Sequence, residues 1–139
     1  MTIGNPTDAK SQGRVRLGTR DQQIATDLTF RCPANALADL LARRGHPVWR
    51  YEFDLAPGGA TTRHALEIGY VFADNRSSGG LSLRPYWLQF ARTGDPNGPG
   101  LAAWPRWAAA TQGHMAFEEK GFAARSGLRD EICGKLERL

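Results

Sequence analysis

The segment from Val48 to Asp54 most constrains the fold of this 139-residue chain, because it has the clearest strand pattern in the sequence. Its aromatic residues Trp49, Tyr51 and Phe53 alternate with polar ones, so they fall on one face of an extended strand. One further short strand is expected from His114 to Glu119. Two or three strands are fewer than the roughly four to six of a common sheet. The sequence therefore predicts an incomplete sheet that belongs to a larger α/β structure.

Helical spacing accounts for most of the remaining chain. Pro33 suits a first turn, and Gly45 supplies a stop for the best-marked helix. The helix before Gly94 should turn four side chains inward, namely Leu83, Trp87, Phe90 and Ala91, and the helix that ends at Phe72 should be short and buried. In chain order the predicted helices lie at Arg20–Leu28, Pro33–Gly45, Ala65–Phe72, Leu81–Thr93 and Leu128–Leu139. Residues 1–20 are expected to be a flexible lead-in, and residues 21–139 a single domain.

Composition and charge exclude several classes of function. The formal net charge is +4, and the arginines that dominate it are scattered, so no nucleic-acid-binding stripe forms. No run approaches the ~20 apolar residues of a membrane span, and no signal peptide is evident, so the cytoplasm is the default location. A longer parent protein could still be exported. Neither metal-ligand spacing nor a cofactor motif occurs, so no metal or cofactor is expected.

Aromatic residues of the second half of the chain allow two interpretations. They could form a stacking platform for bases or sugars. Helical spacing and a following proline favour core packing and loop anchoring instead. The residues concerned are Trp87, Phe90, Trp104 and Trp107.

Five segments, taken in order, carry a family resemblance. They are Asp27–Pro33 (DLTFRCP), Val48–Asp54 (VWRYEFD), His64–Phe72 (HALEIGYVF), Trp87–Gly98 (WLQFARTGDPNG) with Trp104–Pro105, and Leu128–Cys133 (LRDEIC). This series resembles the C-terminal region of type-B carboxylesterases, the family of bacterial para-nitrobenzyl esterases and cholinesterases. The resemblance implies the C-terminal portion of an α/β-hydrolase fold, with few strands and several packed helices.

The third segment bears on chemistry. Serine ester hydrolysis needs a hydroxyl nucleophile, an imidazole that relays its proton and a carboxylate that orients the imidazole, and in α/β-hydrolases the histidine comes last in the chain. By resemblance His64 is the general base and Glu67 a supporting buried group, whereas Ala65 stands where the family often has glycine. No serine of this sequence lies in G-x-S-x-G. In the family the serine and acid segments precede the Asp27 motif, so we expect the chain to be inactive alone.

Three hypotheses follow for the role of the chain. It is a C-terminal fragment of an enzyme that hydrolyses a small-molecule carboxylic ester, a non-catalytic remnant that self-associates or binds through an exposed sheet edge, or one half of a split esterase that another chain completes. Cys32 and Cys133 match the positions of a disulfide in cholinesterase-like members. Without an export signal, two free thiols are the expected redox state.

Overall fold

A computed structural model describes residues 18–55, 60, 62–72, 80–128 and 130–136. Helix α1 passes through a π-helical segment into α2 without a break, and a small sheet follows. The elements in chain order are α1 (Arg20–Thr26), the π-helical segment (Asp27–Arg31), α2 (Cys32–Arg43), β1 (Tyr51–Asp54), α3 (Glu67–Phe72), α4 (Arg84–Thr93), β2 (His114–Glu118), β3 (Gly121–Arg125) and α5 (Asp130–Leu136).

Local sequence explains where the helices begin and end. Thr19 and Gln22 form a capping box at the start of α1, in which each side chain bonds the other residue's backbone N–H. Pro33 is the second residue of α2. Because the helix continues back into the π-helical segment, the missing N–H of Pro33 interrupts the run of helical hydrogen bonds at that junction. Gly45 and Gly94 adopt positive φ (84° and 76°) just after α2 and α4, as predicted for helix stops.

The described strands form one sheet in the order β1-β2-β3. Strand β1 pairs in parallel with β2, with Tyr51 opposite Met115, and β2 pairs antiparallel with β3. Strand β3 was not predicted, because its sequence GFAAR has one aromatic and no β-branched residue. Its pairing with the buried β2 holds it in the sheet, so tertiary context overrides weak propensity there.

Aromatic side chains form the core around the sheet. Phe117 of β2 is fully buried, and its ring contacts those of Tyr86, Trp104 and Phe122. The Trp104 indole N–H donates to the Arg50 carbonyl at 2.7 Å. The tryptophans here are therefore core and loop anchors, as their spacing favours, and not a stacking platform.

Helix α3 departs from its predicted burial. The sequence indicated a short buried helix, and the helix is present, but Ile68 is 52% exposed and Phe72 78% exposed. The apolar side chains of this helix predict burial, but within the described chain nothing covers the face that carries Ile68 and Phe72. In α4 the buried residue is Tyr86; of the four side chains predicted inward, Leu83 is buried and Trp87 half-buried, but Phe90 and Ala91 are exposed.

Two expectations lie partly outside the described residues: the lead-in, which is described only from residue 18 onward, and the last predicted helix, which is described only as far as residue 136. Within the described residues, no helix combines the length and apolarity needed to cross a bilayer.

Cys32 and Cys133 form a disulfide, with Cα atoms 5.1 Å apart and a sequence separation of 101. The expectation of free thiols is contradicted. Cys32 begins α2 and Cys133 lies on α5, and both side chains are buried where α5 reaches the helical segment. The bond therefore ties the end of the described chain to its beginning.

Reduction of this disulfide should lower the free energy of unfolding by about 2–5 kcal/mol, because a loop of this length leaves the unfolded chain far more freedom when it is opened. Urea unfolding with and without dithiothreitol measures the difference. The double variant Cys32→Ser/Cys133→Ser should match the reduced protein and ignore the reductant. Equal stability of oxidised and reduced protein would contradict the prediction.

Candidate functional site

His64 lies in the turn that leads into α3, one helical turn before Glu67. Both residues line one open cavity of ≈ 390 Å³. The sequence-predicted base and its supporting carboxylate thus share a single site. The other residues of this cavity come from the π-helical segment, α2, β1 and adjoining loops, and are Phe30, Arg31, Ala34, Arg50, Tyr51, Glu52, Phe53, Ala65 and Leu128.

The imidazole of His64 is exposed and stacks on the ring of Phe30, with centroids 5.3 Å apart and planes 17° from parallel. Within the described part of the chain, neither of its ring nitrogens has a hydrogen-bond partner. The stack fixes the plane of the ring and leaves its nitrogens accessible. A carboxylate that would select one tautomer is therefore not supplied by the described residues.

Tyr51 forms part of the cavity and of the core. Burial raises the pKa of its phenol, the nearby carboxylate of Glu67 raises it further, and the positive charge of Arg50 partly offsets both effects. The phenol consequently stays neutral over the physiological range. Glu67 lines the same cavity as Tyr51.

Arg50 connects the cavity floor to the helices behind it. Its guanidinium donates to the Asn35 side-chain oxygen at 2.8 Å and lies 5.8 Å from the Trp107 ring. Asn35 in turn donates to the Leu128 carbonyl at 2.8 Å. Desolvation lowers the pKa of Arg50, and Tyr51 partly restores it. We interpret Arg50 as a positioning residue that holds β1 against α2.

The described serines do not lie with His64. Ser82 is buried at the start of α4, where its hydroxyl accepts from the Arg84 N–H, and neither Ser82 nor Ser126 lines the cavity. Ser11, Ser77 and Ser78 fall outside the described residues. Among the residues that are described, no group of three or more His, Cys, Asp or Glu side chains could hold a metal ion.

Three cavity residues were not identified as functional from the sequence. Phe30 belongs to the Asp27–Pro33 segment that carries the family resemblance, but nothing in that segment indicates that its ring stacks on His64. Arg50 and Glu52 did leave a signal, because a charged face is unusual for a strand covered on both sides. The charged face marks the side of β1 that meets α2 and the cavity.

A sequence model described as the carboxylesterase family matches residues 5–135. The chain is 33% identical to acetylcholinesterase of Gallus gallus over 79% of its own length and 17% of the relative's. It is 36% identical to carboxylesterase 4A of Bos taurus, with 72% of this chain and 21% of the relative covered. A fatty acyl-CoA hydrolase precursor of Anas platyrhynchos is 32% identical over 71% of this chain and 20% of that protein. The chain thus spans about a fifth of the length of these relatives.

Replacement of Ala65 by glycine should stabilise the protein by about 0.5–1 kcal/mol. Ala65 is exposed and has φ 66°, a left-handed conformation that costs an L-residue roughly 1–2 kcal/mol and glycine almost nothing. Part of the gain is lost to the greater freedom of glycine in the unfolded chain. Urea unfolding measures the change. The matched control Ala103→Gly, at an exposed loop position outside the positive-φ set, should destabilise; equal signs for the two variants would refute the strain at Ala65.

Stability should fall as the pH rises above the ordinary tyrosine pKa of 10.0, because burial raises the pKa of both Tyr51 and Tyr86 in the folded protein. A group whose pKa is raised on folding stabilises below its unfolded pKa, and the stabilisation disappears as the pH passes the folded pKa. Urea unfolding at several alkaline pH values measures the slope. Tyr51→Phe should make that slope shallower, and an unchanged slope would contradict the assignment.

Proposed function

Since this chain belongs to the carboxylesterase family, we propose that it supplies the general-base histidine, His64, of a carboxylic-ester hydrolase. The serine nucleophile and the triad acid come from sequence outside these 139 residues, since no G-x-S-x-G segment occurs within them. The observation that carries the proposal is the accessible imidazole of His64 at an open cavity, on the turn that matches the family's histidine motif.

The proposed chemistry assigns one step to each group. The serine hydroxyl attacks the ester carbonyl while His64 accepts its proton, and the protonated imidazole then returns that proton to the leaving alcohol. A water molecule repeats the sequence on the acyl-enzyme and releases the carboxylic acid. Both steps need an imidazole whose nitrogens are free toward the reacting atoms, which is the condition of His64 in the described chain.

Glu67 is proposed as a supporting carboxylate, not as the triad acid. It is the first residue of α3 and half-buried, and it lines the His64 cavity. A negative charge near an imidazole stabilises the imidazolium that forms when the serine proton is taken. Removal of Glu67 is therefore expected to cost less activity than removal of His64.

The substrate class is carboxylic esters. The names of the similar proteins include an acetylcholinesterase, a carboxylesterase and a fatty acyl-CoA hydrolase, and all three name enzymes that cleave an ester or thioester. Side chains of both charges line the cavity of this chain, namely Arg31, Arg50, Glu52 and Glu67.

Without a serine and acid, the chain should not turn over esters. Purified chain assayed with an unactivated alkyl ester such as ethyl butyrate should hydrolyse it no faster than the His64→Ala variant does, because no serine, threonine or cysteine is among the described residues that line the cavity. Turnover by the chain that His64→Ala abolishes would show that a complete site exists within it and would contradict the proposal.

A chimera that joins the N-terminal part of bovine carboxylesterase 4A to this chain should hydrolyse p-nitrophenyl butyrate. His64→Ala should lower kcat by about 10³-fold or more, since a triad acts as a unit. His46→Ala is the matched control, because His46 is also exposed but lies in the turn between α2 and β1, outside the cavity. Equal activity of the two variants, with thermal melts showing that both fold, would remove His64 from the mechanism.

One observation favours a second candidate, a non-catalytic binding piece. The sheet has only three strands in the described chain, and apolar side chains of α3 face outward beside it. A piece of this kind would bind its partner without completing a triad. The chimera separates the candidates, because only the catalytic one makes hydrolysis depend on His64.

A further inference from the structure

The outer face of α4 forms one wall of another cavity, the α4 cleft, which shares no lining residue with the His64 cavity. The cleft has a volume of ≈ 420 Å³ and lies between α4 and the loop that follows it. Arg84, Leu88 and Arg92 recur every four residues and therefore form a ridge along the helix. The other lining residues are Ser82, Pro85, Gln89, Gly98, Pro99 and Leu101. The α4 cleft is thus separate from the candidate active site.

The positive charge of the α4 cleft is not neutralised by the described chain. Arg84 and Arg92 are exposed, and among the described residues neither guanidinium forms an ion pair or a hydrogen bond. The described lining of the cleft contains no aspartate or glutamate. The carboxylate of Asp95, shortly after α4, instead accepts hydrogen bonds from the backbone and side-chain amides of Asn97, both at 2.8 Å. Two unpaired positive charges in one cleft attract an acidic ligand.

The middle of the α4 cleft is apolar. Leu88 is 46% exposed between the two arginines, and Pro99 and Leu101 belong to the facing loop. The Gln89 side chain lies against Gly98, where a Cβ atom would come within 3.3 Å of the Gln89 Cδ, so the glycine lets the loop approach α4. A ligand in the cleft therefore meets an apolar surface with a positive charge at each end.

The spacing of these charges determines which ligand fits. Arg84 and Arg92 are eight residues apart on one helix, which is about 12 Å along its axis. In an extended peptide, residues i and i+4 lie on the same face about 13 Å apart, and residue i+2 lies between them on that face. We propose that the α4 cleft binds an extended segment of a partner protein with the pattern acid-x-apolar-x-acid. Its carboxylates pair with Arg84 and Arg92, and its apolar side chain packs on Leu88. This binding goes beyond the proposed function.

Two other kinds of acidic ligand fit the cleft less well. A single small anion, such as phosphate or acetate, pairs with one arginine and leaves the apolar middle uncovered. An acidic helix most commonly crosses another helix at about 50°, so its ends would move away from the two arginines. Only the extended segment contacts Arg84, Leu88 and Arg92 at once.

The test measures the binding of fluorescein-labelled peptides to the full chain by fluorescence anisotropy. The peptide S-E-T-L-T-E-S has the proposed pattern, and its threonines favour an extended backbone. The scrambled peptide S-E-E-T-L-T-S keeps the composition and charge but loses the spacing. We expect the patterned peptide to bind about three- to tenfold more tightly than the scrambled one, because each exposed ion pair contributes only a small factor. This difference should shrink when NaCl is raised from about 50 mM to about 500 mM, because salt screens exposed charges.

Charge reversal tests whether the two arginines carry the binding. Arg84→Glu and Arg92→Glu should each weaken binding of the patterned peptide by about threefold or more. In the double variant the preference should invert, so that S-K-T-L-T-K-S binds more tightly than S-E-T-L-T-E-S. The matched control is Arg43→Glu, which makes the same change of charge at an exposed arginine of α2 outside the cleft and should alter the affinity by less than about twofold. Thermal melts verify that each variant folds.

Three peptide results would overturn the inference: equal affinity for the patterned and scrambled peptides, equal weakening by Arg43→Glu and Arg84→Glu, or a double variant that still prefers the glutamate peptide. Vesicles of phosphatidylglycerol and phosphatidylcholine supply the last comparison. Vesicle binding that requires Arg84 and Arg92 and that the patterned peptide does not displace would assign the cleft to an anionic lipid surface and would also overturn the inference. None of these results depends on His64, so the proposed function is tested separately by the chimera.

Discussion

The parallel pairing of β1 with β2 determines where every other part of the site lies. It joins Tyr51 to Met115 across more than sixty residues of sequence, so a large loop is closed before this contact stabilises anything. The Trp104 indole N–H bonds the Arg50 carbonyl next to the paired segment and extends the fixed length of strand. The turn that carries His64 follows the C-terminal end of β1 in the chain. The position of this turn therefore depends on the pairing of β1 with β2.

Helix α2 is attached to the same strand through polar contacts that sit on the side of β1 away from the aromatic core. Arg50 reaches Asn35, and Asn35 reaches the Leu128 carbonyl near the start of α5. A partly buried guanidinium is costly to desolvate, and the lowered pKa of Arg50 reflects that cost. The hydrogen bonds of this network offset the desolvation cost, because they link β1, α2 and the segment before α5. The disulfide between Cys32 and Cys133 closes the same region covalently.

Local signals in the sequence were sufficient for elements whose own residues decide their structure. Gly45 and Gly94 end helices because a left-handed residue is needed there, and the alternation through Tyr51 and Phe53 predicts a strand whatever its neighbours are. Strand β3 and the exposure of α3 could not be predicted in this way. The first depends on a partner strand, and the second depends on which surfaces the described chain leaves uncovered, as Ile68 and Phe72 illustrate.

The residues of the candidate site also fall into two groups, those that the sequence predicted and those that only the fold revealed. His64 and Glu67 were identified from their motif, and the family match over residues 5–135 supports the membership on which that motif rests. The stacking of Phe30 on His64 became visible only in the fold, whereas the polar face of the strand had already marked Arg50. For Cys32 and Cys133 the sequence contained two opposing signals. The resemblance indicated a disulfide, which the structure contains, whereas the lack of an export signal favoured free thiols.

An exposed imidazole is a poor catalyst of ester hydrolysis even when it is well placed. Catalysis in a triad draws much of its strength from fixed dipoles in a site that excludes water, where charge formed in the transition state is stabilised without reorganisation. In the described chain His64 is open to solvent on one side and stacked on Phe30 on the other. A partner that completes the proposed site would therefore have to exclude water from the cavity beside His64 as well as supply a serine.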